Sequence, residues 1–197
     1  MSLSIAKAPR PAVLVWIGAA ALIVAALAGF ALWRAAPASA GLVGGPFALE
    51  TAGGKVLTDV DLRGRPFLVY FGYTHCPDVC PTTLAEISEV LRRMPGKAVK
   101  ALFITVDPER DTPAVMADYV SSFDSRIVGL SGSPQAIAAV EKEYRIYAHK
   151  GETKPDGDYL MDHVSVVYLM NSDGGFAEIF NLDRPPEEAA KELAAYL

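Results

Sequence analysis

Apolar and polar positions divide this chain into one long uninterrupted run and many short ones. Residues 12–33 are 22 positions without a charge. As a helix rising ~1.5 Å per residue, such a run covers the ~30 Å hydrocarbon layer of a bilayer. The later apolar stretches are much shorter and belong to a folded domain. Residues 66–73 and 99–106 are almost unbroken, the pattern of strands buried on both faces. Residues 47–51 and 55–58 flank Gly53 and Gly54, which reads as a hairpin closed by a glycine turn. From Pro81 the period changes. Leu84, Ile87, Leu91 and Met94 recur at helical intervals until Pro95 and Gly96 stop them.

Two more helices open at Thr112-Pro113 and Ser133-Pro134, each with a capping side chain ahead of a proline. The inward residues are Met116, Tyr119, Val120 and Phe123 in the first, and Ile137, Val140 and Tyr144 in the second. Between them residues 127–130 form a short strand. Residues 147–158 are polar and hold Gly151, Pro155 and Gly157, so they read as a loop. Residues 164–170 form a strand, 171–175 a turn, 176–180 its antiparallel mate and 186–197 a last helix. This order predicts an α/β domain whose mixed sheet has parallel strands joined by helices, an antiparallel hairpin near its end and helices on both faces.

Charge refines the organisation. Lys7 and Arg10 precede the long apolar run while only Arg34 closely follows it, so the positive-inside rule leaves residues 1–11 in the cytoplasm. Trp16 and Trp33 lie near the ends of the run, where amphipathic rings settle at the headgroups. Ala38-Ser39-Ala40 has the form of a cleavage site, but secretory apolar regions span only ~7 to 15 residues, which favours a retained anchor. The chain therefore divides into a cytoplasmic N-terminus (1–11), a transmembrane anchor (12–33), a linker (34–45) and an exported domain (46–197). All 23 acidic residues, but only 15 of the 18 basic ones, follow position 40, so the exported part carries 15 − 23 = −8. That balance argues against nucleic acid as a partner, because phosphates call for basic patches.

The chemistry concentrates in one stretch. Both cysteines of the chain fall in Tyr73-Thr-His-Cys76-Pro-Asp-Val-Cys80-Pro-Thr-Thr-Leu84, between a buried strand and a helix. A helix N-terminus offers free N–H groups and partial positive charge, which favour thiolate, the form a metal or a disulfide partner needs. The i, i+4 spacing puts Cβ atoms ~5 to 6 Å apart on a helix, against ~3.5 to 4.5 Å in a relaxed disulfide. A bridge therefore needs local adjustment, which is easy if Cys76 sits in the loop ahead of the helix, and two sulfurs so spaced can also converge on a shared metal.

Two thiolates leave a metal site open, and three histidines are available to close it. His75 adjoins Cys76, and neighbouring side chains diverge, so local hydrogen bonding is the expectation there. His149 stands in a polar stretch beside Lys150 and reads as solvated. His163 opens the predicted strand after a glycine-containing loop, where a side chain can overhang a sheet edge. Standing alone it would be read as structural. Beside two thiolates on an exported protein it becomes a ligand candidate, since imidazole suits copper and thiolate selects Cu(I).

Three segments together carry a family resemblance: residues 71–84, Val106-Asp-Pro-Glu-Arg-Asp-Thr-Pro113, and Asp162-His163 ahead of an apolar strand that ends near Asn171-Ser-Asp-Gly174. The chain resembles Sco/SenC proteins from about Pro46 to its C-terminus, and the single N-terminal anchor agrees. The resemblance implies a thioredoxin-like fold and one copper ion per chain, Cu(I) or Cu(II), held by Cys76, Cys80 and His163. It also implies a role in building the CuA centre of cytochrome c oxidase, with that enzyme's copper-site subunit and other copper carriers as partners. The implied location is the inner membrane, single-pass, with the domain in the periplasm.

Asp78 and Asp162 are candidates for orienting His163 from outside the ligand set, with solvated carboxylates as the plainer reading. Met161 is a soft donor next to His163, but a methionine ahead of a strand more often belongs to the core. The charges of residues 107–111 read as a structural network. An enzyme is the main alternative: Cys76 and Cys80 would form the redox pair of a thiol–disulfide oxidoreductase that keeps the oxidase copper-site cysteines reduced. A peroxiredoxin-like peroxidase fits less well, because there the threonine precedes the reactive cysteine whereas Thr82 and Thr83 follow Cys80. A purely structural disulfide would close a very small loop, where the entropic gain is least.

Overall fold

The pleat of the central strand organises the domain. The computed structural model describes residues 43–197, together with residues 21 and 23–25, which are helical. The cytoplasmic stretch 1–11, most of the anchor read over 12–33 and most of the linker lie outside the described residues. Among the described residues no helix is long and apolar enough to cross a membrane.

Strand β3 (Phe67–Gly72) is buried at every position. It pairs in parallel with β4 (Lys100–Thr105), which pairs in parallel with β5 (Ile127–Leu130). On its other side β3 pairs antiparallel with β8 (Val167–Met170), and β8 with β9 (Phe176–Ile179). The sheet order is therefore β5-β4-β3-β8-β9. Separate from it are a hairpin of β1 (Ala48–Glu50) and β2 (Val56–Thr58), and a ribbon of β6 (Ala148–Lys150) and β7 (Met161–His163).

Successive side chains of β3 point to opposite faces. Tyr70 stacks on Phe103, which stacks on Tyr119 of helix α2 (Pro113–Val120). Phe71 meets Tyr144 at the end of α3 (Pro134–Glu143) on the other face, where Phe47 of the hairpin end also packs. The core is thus continuous through a mixed sheet with helices on both faces, as the sequence predicts. Helix α1 (Val79–Arg92) packs on α4 (Pro186–Ala194). Thr112 and Ser133 each accept a hydrogen bond from the amide three residues on, and a proline follows each, so both caps form as expected.

Four expectations are corrected. The strand expected over 164–170 is broken: β7 ends at His163 and β8 starts at Val167. The polar stretch 147–158 contains β6, which pairs with β7. Helix α1 starts at Val79 rather than at Pro81, so Cys80 stands in its first turn while Cys76 precedes it. The last helix stops at Ala194 instead of running to the end of the chain.

Candidate metal centre

Cys76 and Cys80 are brought together by the turn that leaves β3. Both are free thiols, Cys76 half-buried and Cys80 buried. The N-cap residue of α1, Asp78, makes no side-chain capping bond. Instead the backbone N–H of Cys80, in the first helical turn, donates to Cys76 Sγ at 3.3 Å. The helix thus directs an otherwise unpaired amide and the positive end of its dipole at this sulfur. Burial pushes the Cys80 thiol up to about 12. A cation is the kind of partner that makes a buried thiolate affordable.

Gly72 makes the space for Cys80. A Cβ at Gly72 would lie 2.7 Å from Cys80 Sγ and 2.8 Å from Phe103 Cε2. Only a residue without a side chain lets the helix start approach the strand so closely.

His163 comes from the distant ribbon, and its Nε2 lies 3.8 Å from Cys80 Sγ. The nearest ligand atoms of Cys76, Cys80 and His163 all lie within 4.8 Å of one another. Bonds of ~2.3 Å to sulfur and ~2.0 Å to nitrogen, the lengths found in zinc sites, would hold the two donors ~3.7 Å apart at 120°. The cluster therefore fits a three-coordinate ion with little movement. His163 Nδ1 lies 3.1 Å from the carbonyl oxygen of Val164. A carbonyl only accepts, so Nδ1 carries the proton, and the lone pair of the neutral ring is on Nε2, facing the sulfurs. The ring also stands edge-on to Tyr73, with centroids 5.8 Å apart.

The other sequence candidates are placed as follows. His75 bonds locally, its Nδ1 3.1 Å from Thr74 Oγ1, and stays out of the cluster. His149 is exposed and pairs with Asp162 across the ribbon. Asp78 and Asp162 are both exposed, and the Nδ1 bond of His163 goes to a backbone carbonyl rather than to either carboxylate. Met161 packs against the core.

The charges of residues 107–111 do form a network. Asp111 is fully buried and accepts from Thr74 N at 3.0 Å, Thr74 Oγ1 at 2.5 Å and Thr105 Oγ1 at 2.7 Å, which fixes the loop leading to Cys76. Sequence reasoning missed Gly72 and Tyr73 as neighbours of the site, and Tyr159 as a support of the ribbon that carries His163. Position next to the cysteine motif could have flagged the first two. Nothing local marks Tyr159.

Fold and site define a thioredoxin-like α/β protein with two thiols and one imidazole converging at the start of a helix, a soft-metal centre in its donor set. The comparisons with known proteins agree with that class. The SCO1/SenC family profile matches residues 35–197. This chain belongs to the SCO1/SenC family. It is 41% identical over 160 residues to the mitochondrial SCO1 homolog of Mus musculus, a match covering 79% of this chain and 56% of the mouse protein. It is 42% identical over 157 residues to the mitochondrial SCO2 homolog of Bos taurus, covering 78% of this chain and 59% of that protein. The chain thus matches little more than half the length of these relatives. The structure of Bradyrhizobium japonicum ScoI with copper bound is similar at TM-score 0.76 and 58% identity, covering 79% of this chain and 99% of that one. Yeast Sco1 with copper bound gives a TM-score of 0.71 at 35% identity, covering 78% and 87%.

Proposed function

We propose that this protein takes up one copper ion, as Cu(I) or Cu(II), through Cys76, Cys80 and His163, and delivers it to the copper-site subunit of cytochrome c oxidase for assembly of the CuA centre. The observation carrying this reading is the convergence of the three donor atoms within 4.8 Å, with the Nε2 lone pair of His163 turned to the sulfurs. Copper-bound structures of similar Sco proteins support the choice of metal. Two thiolates and a neutral imidazole suit three-coordinate Cu(I), whereas Cu(II) leans more on the imidazole and takes a fourth donor from water or a neighbour. A centre with three protein donors and one half-exposed sulfur can be dismantled stepwise by the thiolates of a recipient. The apolar run at 12–33 would hold the domain at the inner membrane, facing the periplasm.

A titration of the full chain in detergent tests the site. One copper per chain is expected, with His163→Ala weakening Cu(II) at least about a hundredfold, beyond the 10–100-fold typical of losing a ligand's supporting partner. His149→Ala should leave binding unchanged. Equal effects of the two substitutions would remove His163 from the site.

A second reading has one specific observation behind it: a half-buried sulfur that accepts a helix amide, followed by a buried thiol. In thiol–disulfide exchange the Cys76 thiolate would attack a partner disulfide and release one partner thiol. Cys80 would then displace the second, leaving this chain oxidised and the partner reduced. Mixing the copper-loaded protein with the oxidase copper-site domain separates the readings. Metal transfer favours delivery. Failure of transfer, together with fast reduction of that domain's disulfide by the metal-free protein, favours exchange.

A further inference from the structure

The histidine of the site comes from an element that cannot hold its own position. The ribbon of β6 and β7 has three residues in each strand and is not part of the main sheet. An isolated two-stranded ribbon is at best marginal in water. Contacts to the body must therefore decide where His163 sits.

One of these contacts is made by Tyr159, two residues ahead of β7 and buried. Its hydroxyl donates to Asp107 Oδ1 at 2.9 Å. Its ring is contacted by two cations, Arg110 Cζ 3.6 Å and Lys150 Nζ 3.9 Å from the centroid. Arg110 in turn binds Asp107 Oδ2 through Nε and Asp158 through Nη1. Its guanidinium also lies 5.9 Å from the centroid of Tyr73, the ring that His163 abuts. Asp107 is itself buried, and its amide donates to Thr105 Oγ1 at the end of β4.

The same short turn holds the other half of the site, because Asp111 fixes Thr74 in the cysteine loop. Asp111 N also donates to Asp107 O at 2.9 Å, which ties the two acids into one rigid piece. Residues 107–111 thus touch both ligand-bearing segments.

We propose that this turn is the spacer of the centre, and that the latch of Asp107 and Arg110 on Tyr159 positions His163 against the two sulfurs. Tyr159, Asp107 and Arg110 are positioning residues, and their loss should weigh more on Cu(II) than on Cu(I), because thiolate by itself selects soft Cu(I) while the harder Cu(II) leans more on the imidazole. The proposal rests on His163 being a ligand.

The test compares Tyr159→Phe, which keeps the ring and loses the hydroxyl, with Arg110→Lys, which keeps the charge and loses the flat stacking group, in the full chain. His163→Ala serves as reference. Cu(II) affinity should fall about tenfold or more in both latch variants, within the range seen when partners of metal ligands are removed. Cu(I) affinity should stay within about twofold, and the Cu(II) absorption and EPR spectra should move toward those of His163→Ala. In metal-free protein, amide hydrogen exchange should quicken at residues 148–150 and 161–163, with β3 and β4 unchanged.

Equal losses for both oxidation states, or exchange rising throughout the sheet, would reduce the latch to general stability and overturn the proposal. Unchanged Cu(II) binding in both latch variants, with His163→Ala still damaging, would overturn the latch and leave the site standing. Unchanged Cu(II) binding in His163→Ala would remove the site assignment itself, and the latch proposal with it.

Discussion

At Gly72 a missing side chain decides the position of the Cys80 sulfur. Because the added Cβ of alanine would fall 2.7 Å from Cys80 Sγ, Gly72→Ala has to displace either that sulfur or the start of α1. Overpacking of this kind costs about 1–3 kcal/mol. Urea unfolding of the variant should register that loss, and copper titration should give weaker binding of both oxidation states, unlike the selective effect expected at the latch. Glu141 offers a different residue-scale test. Burial raises its carboxyl to about 7 from an ordinary value of 4.5. A raised carboxyl favours the fold fully only below the unfolded-state value, and that contribution disappears as pH climbs through the folded-state value. Glu141→Gln should therefore stabilise the protein by about 1–2 kcal/mol at pH 8, after allowance for partial solvent screening, and by almost nothing at pH 4. Thermal unfolding at the two pH values measures the difference, and an equal shift at both would exclude ionisation as the cause.

At the scale of elements, legibility follows length and the source of stability. β3 and β4 could be read directly because each is a nearly unbroken apolar run that needs no partner to be recognised. The helices beginning at Pro113 and Pro134 could be read because a capping side chain and a proline act locally. The short ribbon was not legible. Its strands flank a segment marked by Gly151, Pro155 and Gly157, and Tyr159 and Lys150 contact the turn at residues 107–111 from across the fold. The same tertiary demand splits the stretch expected as one strand over 164–170. Val164 N donates to Tyr147 O on the ribbon, whereas Val167 pairs with Tyr70 in the sheet. The chain changes partners between them, and the Tyr70 hydroxyl lies 3.1 Å from Ser165 Oγ at the crossing.

For the whole molecule, metal binding and stability are linked, because a ligand that binds only the folded chain stabilises it by RT ln(1 + [L]/Kd). Copper at a hundredfold excess over its dissociation constant should add about 2.7 kcal/mol, and for a domain of this size about 5–10 °C in Tm. Calorimetry with and without copper checks this, and Cys80→Ser should abolish the copper-dependent part. The sequence by itself determined the alternation of strands and helices, the mixed sheet and the placement of both cysteines at a strand-to-helix turn. Apolar period, caps and glycine turns act over a few residues, so they are visible without a fold. It also narrowed the third donor to three histidines and, through the family resemblance, to His163. Only the tertiary structure decided that His163 Nε2 faces the sulfurs, that a backbone carbonyl rather than Asp78 or Asp162 sets its tautomer, and that one buried turn holds both halves of the centre. These are distances between segments some 80 residues apart, His163 standing 83 positions from Cys80. Packing of the intervening chain fixes them, and no local pattern encodes that.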